Sequence, residues 1–157
     1  GATLGCTGRS AKIATAVDGG FDLPYLASKV MRRQWKTLDE AQRAQFIASF
    51  RELVLATYTS QFSRYGGENF ETLATKELAD GTRQVNAKLK LGSGNPVNFD
   101  YVLREVNGEW RIVNVVADGV SDLAIRASQY DKAFKSVGFD GLLKQIESQT
   151  AANRKGC

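Results

Sequence analysis

Apolar residues recur with a helical period up to about residue 65, with a period of two from Phe70 to Val116, and with a helical period again after Ser121. The first sharp start is Phe21-Asp22-Leu23-Pro24-Tyr25-Leu26. Asp22 is a good N-cap, Pro24 is tolerated in a first turn, and Phe21 can pack on Leu26 as a hydrophobic staple. The helix runs to about Arg33, with Leu23, Leu26, Ala27 and Val30 inside, Lys29, Arg32 and Arg33 outside, and Trp35 closing it. Residues 1–20 carry only a weak helical pattern at Ile13, Ala14 and Val17, which predicts a short helix behind a loose arm. Thr37-Leu38-Asp39-Glu40 has the spacing of a capping box, and no proline or glycine follows before Gly66-Gly67. A helix over 38 to about 65 would be about 40 Å long. Its stripe of Phe46, Phe50, Leu53, Thr57 and Gln61, widened by Ile47, Val54, Tyr58 and Phe62, is broad enough to meet more than one layer.

Strands follow at 70–78, 83–91, 97–104 and 110–116, with turns at Asp80-Gly81, 92–96 and Asn107-Gly108. On the last strand Trp110, Ile112 and Val116 alternate with Val113 and Val115, so both faces are apolar and a central position is expected. Asp118-Gly119 breaks it. Ser121 then caps a helix with Leu123, Ala127, Tyr130 and Phe134 on one face. Gly138-Phe139-Asp140 introduces a final helix with Leu142, Leu143 and Ile146. The expected class is α+β: one domain over 1–157, a four-stranded antiparallel meander covered by about five or six helices, with 1–11 and 149–157 as flexible tails.

Composition adds mainly exclusions. Apolar residues at 43% and charged ones at 24% are the balance of a folded chain. No run approaches the roughly 20 apolar residues of a membrane helix, and no secretory signal is present. The chain starts at Gly1 and its only methionine is Met31, as expected of a processed or trimmed chain from which an export signal could have been removed. A net charge of +4 is too mild, and too dispersed, for a nucleic-acid binder. Lys29, Arg32, Arg33 and Lys36 form the densest basic group, and read either as the wet side of a helix or as a patch for an anionic surface. Two cysteines, Cys6 and Cys157, permit one bridge between the termini, which the chain-entropy model values at about 4 to 5 kcal/mol, or two unpaired thiols.

With no histidine, Ser-His-Asp, Cys-His and histidine-ligated metal chemistry are excluded for this chain acting alone. No phosphate loop, dinucleotide fingerprint or metal-ligand cluster occurs, so no cofactor or metal is expected, and Gly92-x-Gly94 is a hairpin turn. Asp100 beside Tyr101, or Asp118 with Arg126, could be posed as a tuned acid, although carboxylates in such places are structural far more often. The conspicuous material is apolar and inward-facing: Val85, Leu89, Phe99, Tyr101, Leu103, Val113 and Val115 from strands, and Leu26, Val30, Trp35, Phe46, Phe50, Leu53 and Tyr58 from helices. A filled core and an apolar pocket use the same side chains, and periodicity does not separate them.

Taken in order, Phe21-Asp22-Leu23, Trp35 before Leu38-Asp39-Glu40-Ala41-Gln42-Arg43, Phe50-Arg51-Glu52-Leu53 with Tyr58 downstream, and 110–121 leading to Phe134 resemble the MlaC/Ttg2D family. These are periplasmic lipid-binding proteins associated with toluene tolerance and outer-membrane lipid asymmetry. The resemblance spans about 12–147. Tyr58, Phe62 and the segment 65–70 look closest to its hopanoid-associated branch, HpnM. The family pattern implies an apolar cavity between sheet and helices that takes acyl chains and leaves the polar head near solvent. The fourteen inward residues named above then become candidates to line it. It further implies a non-enzymatic carrier of phospholipid or hopanoid-type lipid in the periplasm, with inner- and outer-membrane transport proteins as partners and transient contact with a membrane surface. Two rivals stand beside it: an enzyme of similar shape built on Asp100 or Asp118, and a partner-binding domain whose core is simply filled.

Overall fold

A computed structural model describes residues 5–62, 67–90, 92 and 94–156. Helices come first: α1 (Gly5–Gly20), α2 (Leu23–Met31), a 3₁₀ segment (Arg32–Thr37) and α3 (Glu40–Gln61). A sheet follows, made of β1 (Asn69–Glu77), β2 (Arg83–Lys90), β3 (Val97–Val106), β4 (Glu109–Ala117) and β5 (Val120–Ser121), and α4 (Asp122–Lys155) closes the chain. The strands pair antiparallel in the order β1-β2-β3-β4-β5.

Local chemistry sets the element boundaries. Asp22 Oδ1 accepts a hydrogen bond from the Tyr25 N–H at 3.2 Å and caps α2. The cap of α3 falls two residues later than the sequence pattern suggests: Asp39 and Gln42 form the reciprocal box, at 2.8 and 3.1 Å, in place of Thr37 and Glu40. Ser121 Oγ accepts from the Ala124 N–H and starts α4. The described part of α3 ends near Gln61, and the remainder of the predicted helix, 63–66, lies outside the described residues.

Among the described residues the expected four strands are five. Asp118 and Gly119 take φ of 47° and 82°, almost the values of Asn107 and Gly108 (52° and 82°), so both pairs make tight hairpin turns. The second turn folds the chain back on β4, pairing Val116 with Ser121 and Ala117 with Val120. Beside this short strand, β4 has only a parallel bridge from Ile112 to Phe21 along its outer edge among the described residues, so it is not the central strand that its apolar content suggests.

The helices number four, with one 3₁₀ segment, among the described residues. The two helices expected after Ser121 form one element bent at Gly138, whose backbone (φ 70°, ψ −172°) lies in a region open essentially to glycine. The described parts of the tails expected at 1–11 and 149–157 are largely helical. Residues 5–11 belong to α1, and 149–155 belong to α4, where Thr150 is buried and Asn153 donates to Thr57 Oγ1 at 3.0 Å. Cys6 lies in the first turn of α1 and is disulfide-bonded; Cys157 lies outside the described residues.

The densest packing is among the helices. Val30, Met31, Phe46, Leu53, Leu142 and Ile146 are almost wholly buried there, and Phe46 stacks on Phe50 with Tyr130 edge-on. Among strand residues only Ala87 and Val113 are buried. All nine residues of β1 are exposed, so the helical layer does not reach that edge. The side chains between sheet and helices are therefore only partly covered, and the site lies in that gap.

Candidate functional site

One irregularity shapes the sheet wall of the gap. Val102 stands opposite Asn114 but Leu103 stands opposite Ile112, which leaves Val113 as an extra residue on β4. Strict alternation would put Ile112 on the face opposite Val115. The bulge brings Ile112 to the same wall as Val115, and both line the cavity. Cross-strand rows Val85–Tyr101–Val115 and Ala87–Phe99–Ala117 extend that wall across the sheet, with Phe99 stacked on Tyr101 at 5.8 Å.

Leu26 and Val30 of α2, Phe50, Val54, Thr57, Tyr58 and Gln61 of α3, and Leu123 and Arg126 of α4 supply the opposing wall. The enclosed space is about 210 Å³. Gln61, Val120 and Asp122 are the solvent-exposed members of the lining and mark the mouth. Phe21, at the junction of α1 and α2, packs on Tyr58 at 5.8 Å, and Tyr58 stacks on Phe62 at 6.1 Å, so an aromatic ladder runs along α3 toward the mouth.

Of the fourteen residues singled out in the sequence, Leu26, Val30, Phe50, Tyr58, Phe99 and Val115 line this cavity. Phe46 and Leu53 instead lie inside the helical core, each 0% exposed, and Trp35 packs edge-on against Phe46 from the 3₁₀ segment. Val113 is buried at the bulge. Val85, Leu89, Tyr101 and Leu103 occupy the sheet without reaching the cavity lining; Leu89 faces Phe70 and Val97 across the strands.

Of the charged members of the lining, Arg126 is expected from the sequence only as a partner for Asp118, and Asp122 is not named there. Arg126 Nε donates to Asp122 Oδ2 at 2.7 Å, and its side chain is 14% exposed against 63% for Asp122. A signal was present in the sequence: Arg126 sits three residues after Leu123 and four before Tyr130, on the apolar face of its helix. Burial draws the Arg126 pKa down, but Asp122 and Tyr130 outweigh it and hold the guanidinium above its ordinary value. Burial pushes the Tyr58 hydroxyl up to about 12, with the Asp122 charge adding to the effect. Burial also raises Tyr130, whose hydroxyl lies near Arg126 without a hydrogen bond of good geometry.

Neither aspartate proposed for acid–base work lines the cavity. Asp100 accepts a hydrogen bond from Asn86 across the sheet, and Asp118 holds its turn by accepting from the Asn98 N–H at 2.9 Å. The ion-pair partner of Arg126 is Asp122 and not Asp118. The basic residues Lys29, Arg32, Arg33 and Lys36 are all exposed, around the junction of α2 and the 3₁₀ segment. No described helix is long and apolar enough to cross a membrane.

An antiparallel sheet faced by helices across an open, mainly apolar cavity defines the class: an α+β protein with an apolar cavity between its layers. Comparison with known proteins makes this specific: the family model described as "MlaC protein" matches residues 5–148, and the chain belongs to that family. It is 25% identical over 135 residues to the intermembrane phospholipid transport system binding protein MlaC of Haemophilus influenzae, a match that takes in 83% of this chain and 63% of that protein. The chain therefore spans less than two thirds of that relative's length. Its fold is similar to that of a phospholipid-binding protein from Ralstonia solanacearum solved in complex with a phospholipid, with a TM-score of 0.80, 19% identity, and coverage of 94% of this chain and 86% of the other.

Proposed function

We propose that this protein is a periplasmic lipid carrier that holds the acyl chains of a phospholipid in the cavity between β3–β4 and helices α2, α3 and α4, and passes the lipid between inner- and outer-membrane transport proteins. The observation that carries the reading is the gap itself: Phe99, Ile112 and Val115 face Leu26, Val30 and Phe50 across open space between sheet and helices. The names of its relatives supply the ligand class. Binding is by burial, each methylene removed from water contributing about 0.8 kcal/mol.

Size adds a condition. About 210 Å³ is below the roughly 300–1,000 Å³ of ordinary small-molecule sites, so a two-chain lipid requires sheet and helices to part further. Contact with the membrane or a partner is assigned to the exposed basic group Lys29, Arg32, Arg33 and Lys36. The test is mass spectrometry of lipid extracts from the purified protein, together with uptake of labelled phospholipid from vesicles. A bound phospholipid and measurable uptake are expected. A hopanoid in the extract would place the protein with the hopanoid branch, and an empty extract with no uptake would sink the carrier reading.

A further inference from the structure

Most of the cavity wall is apolar, and Arg126 is the single cation among its described lining residues. A guanidinium carries five N–H donors in a planar fork, of which the Nε–H is committed to Asp122 at 2.7 Å. Asp122 is mostly solvated, at 63% exposed, whereas Arg126 is largely withdrawn from water at 14%, so the partner's charge is spread into solvent and the cation's is not. The other polar neighbour, the Tyr130 hydroxyl, is buried and makes no hydrogen bond of good geometry among the described residues. Paired with a carboxylate through Nε and largely withdrawn from water, the guanidinium has terminal N–H groups that can turn to an entering acceptor at a smaller desolvation cost than a fully exposed cation would meet.

Position indicates which acceptor. Asp122 lies at the mouth beside Val120, and Arg126 lies four residues, about 6 Å, further along α4. Leu123 on the same helix and Val115 on the sheet continue the lining as apolar wall. An amphiphile whose chains lie against that wall and whose head stays toward the mouth brings the head to the Asp122–Arg126 side of the lining. We propose that Arg126 is a head-group site, donating from its terminal nitrogens to the oxygens of a phosphate-type anionic head, with Asp122 holding the fork in place. The assignment rests on the carrier reading and narrows it, because it favours a phosphate-headed amphiphile over a neutral polycyclic one.

The experiment measures displacement of a fluorescent apolar probe from the delipidated protein by dodecyl phosphate and by 1-dodecanol, which share a chain and differ in the head. The wild-type protein is expected to prefer the phosphate by about tenfold to a hundredfold, the range of a charge-assisted hydrogen bond or bidentate pair. In Arg126→Gln the ratio should fall to near one, and in Arg126→Lys, which keeps the charge and loses the fork, it should be intermediate. Asp122→Asn keeps an amide oxygen that can accept from the Arg126 Nε–H and hold the fork while removing the competing charge, so it should raise the ratio, and it carries the test alone if Arg126→Gln does not fold. Equal binding of the two ligands by the wild-type protein, an undiminished ratio in Arg126→Gln, or an unraised ratio in Asp122→Asn overturns the head-group site while leaving the carrier reading intact. Failure of the wild-type protein to bind either ligand overturns both.

Discussion

Arg104 Nε donates to Asp22 Oδ2 at 2.8 Å, tying β3 to the first residue of the α2 cap, while the other oxygen of the same carboxylate accepts from the Tyr25 N–H. Arg104 also lies over the Tyr25 ring at 4.3 Å, and the Asp22 N–H donates to the Ile112 carbonyl at 3.0 Å. One side chain, 10% exposed, thus serves as helix cap and as bolt between helix and sheet beside the cavity.

Removing both roles should cost more than removing one. Asp22→Ala is expected to destabilise by about 1–3 kcal/mol, the sum of a lost N-cap and a partly buried ion pair. Asp22→Asn keeps a capping oxygen and should cost less. Urea denaturation checks this as a shift in midpoint at unchanged slope; equal losses in the two variants would mean that the charge, and not the cap, carries the effect.

Val115 projects from the sheet wall into the cavity. Val115→Trp should fill that space from the β4 side and abolish uptake of labelled phospholipid from vesicles, with overpacking held to about 1–3 kcal/mol because the neighbouring volume is empty. Circular dichroism and a melting curve establish that the fold persists. Undiminished uptake would show that the lipid chains lodge elsewhere.

Gly138 bends α4 through a backbone conformation that side chains resist. Gly138→Ala should cost about 1–3 kcal/mol, seen as a lowered Tm, although a Cβ there would meet nothing within 4 Å. The loss would therefore come from backbone strain and not from a clash. An unchanged Tm would mean that the bend can move to a neighbouring residue.

Asp18 receives two hydrogen bonds from Arg51, each 2.7 Å, which join α1 to α3. These hold its carboxyl below the ordinary aspartate value against the opposing effect of burial. Because the folded value is the lower one, the pair stabilises the protein fully above the unfolded pKa and ceases to do so as pH falls through the folded value. The carboxylate is 46% exposed, so solvent screening limits the contribution to about 1 kcal/mol or less. Asp18→Asn should narrow the stability difference between about pH 6 and about pH 2.5 in chemical denaturation. An unchanged difference would assign the acid response to other carboxylates.

What the sequence determined by itself was local. Asp22 and Ser121 as caps, Asn107-Gly108 as a turn, and the change of period at Phe70 each depend on residues within a few positions of one another, where backbone preference and hydrogen bonding act without help from the rest of the chain. The same reasoning missed Asp118-Gly119 as a hairpin turn, because its returning strand is only two residues long. The family was legible in the order of several such local features, but the layout of the site was not. The bulge at Val113 depends on how β3 and β4 pair over their length, and it moves Ile112 to the cavity wall against the alternation of its own strand. Phe46 and Phe50 lie one helical turn apart on one stripe, yet Phe46 fills the helical core and Phe50 reaches the cavity, a division set by which neighbours arrive from α4 and the sheet. Whether apolar walls meet or stand apart is a property of packing, since hydrophobic burial is non-directional and rewards either outcome in the same alphabet of residues. Only the tertiary structure left the space open, and only there did Arg126 become a cation facing a cavity.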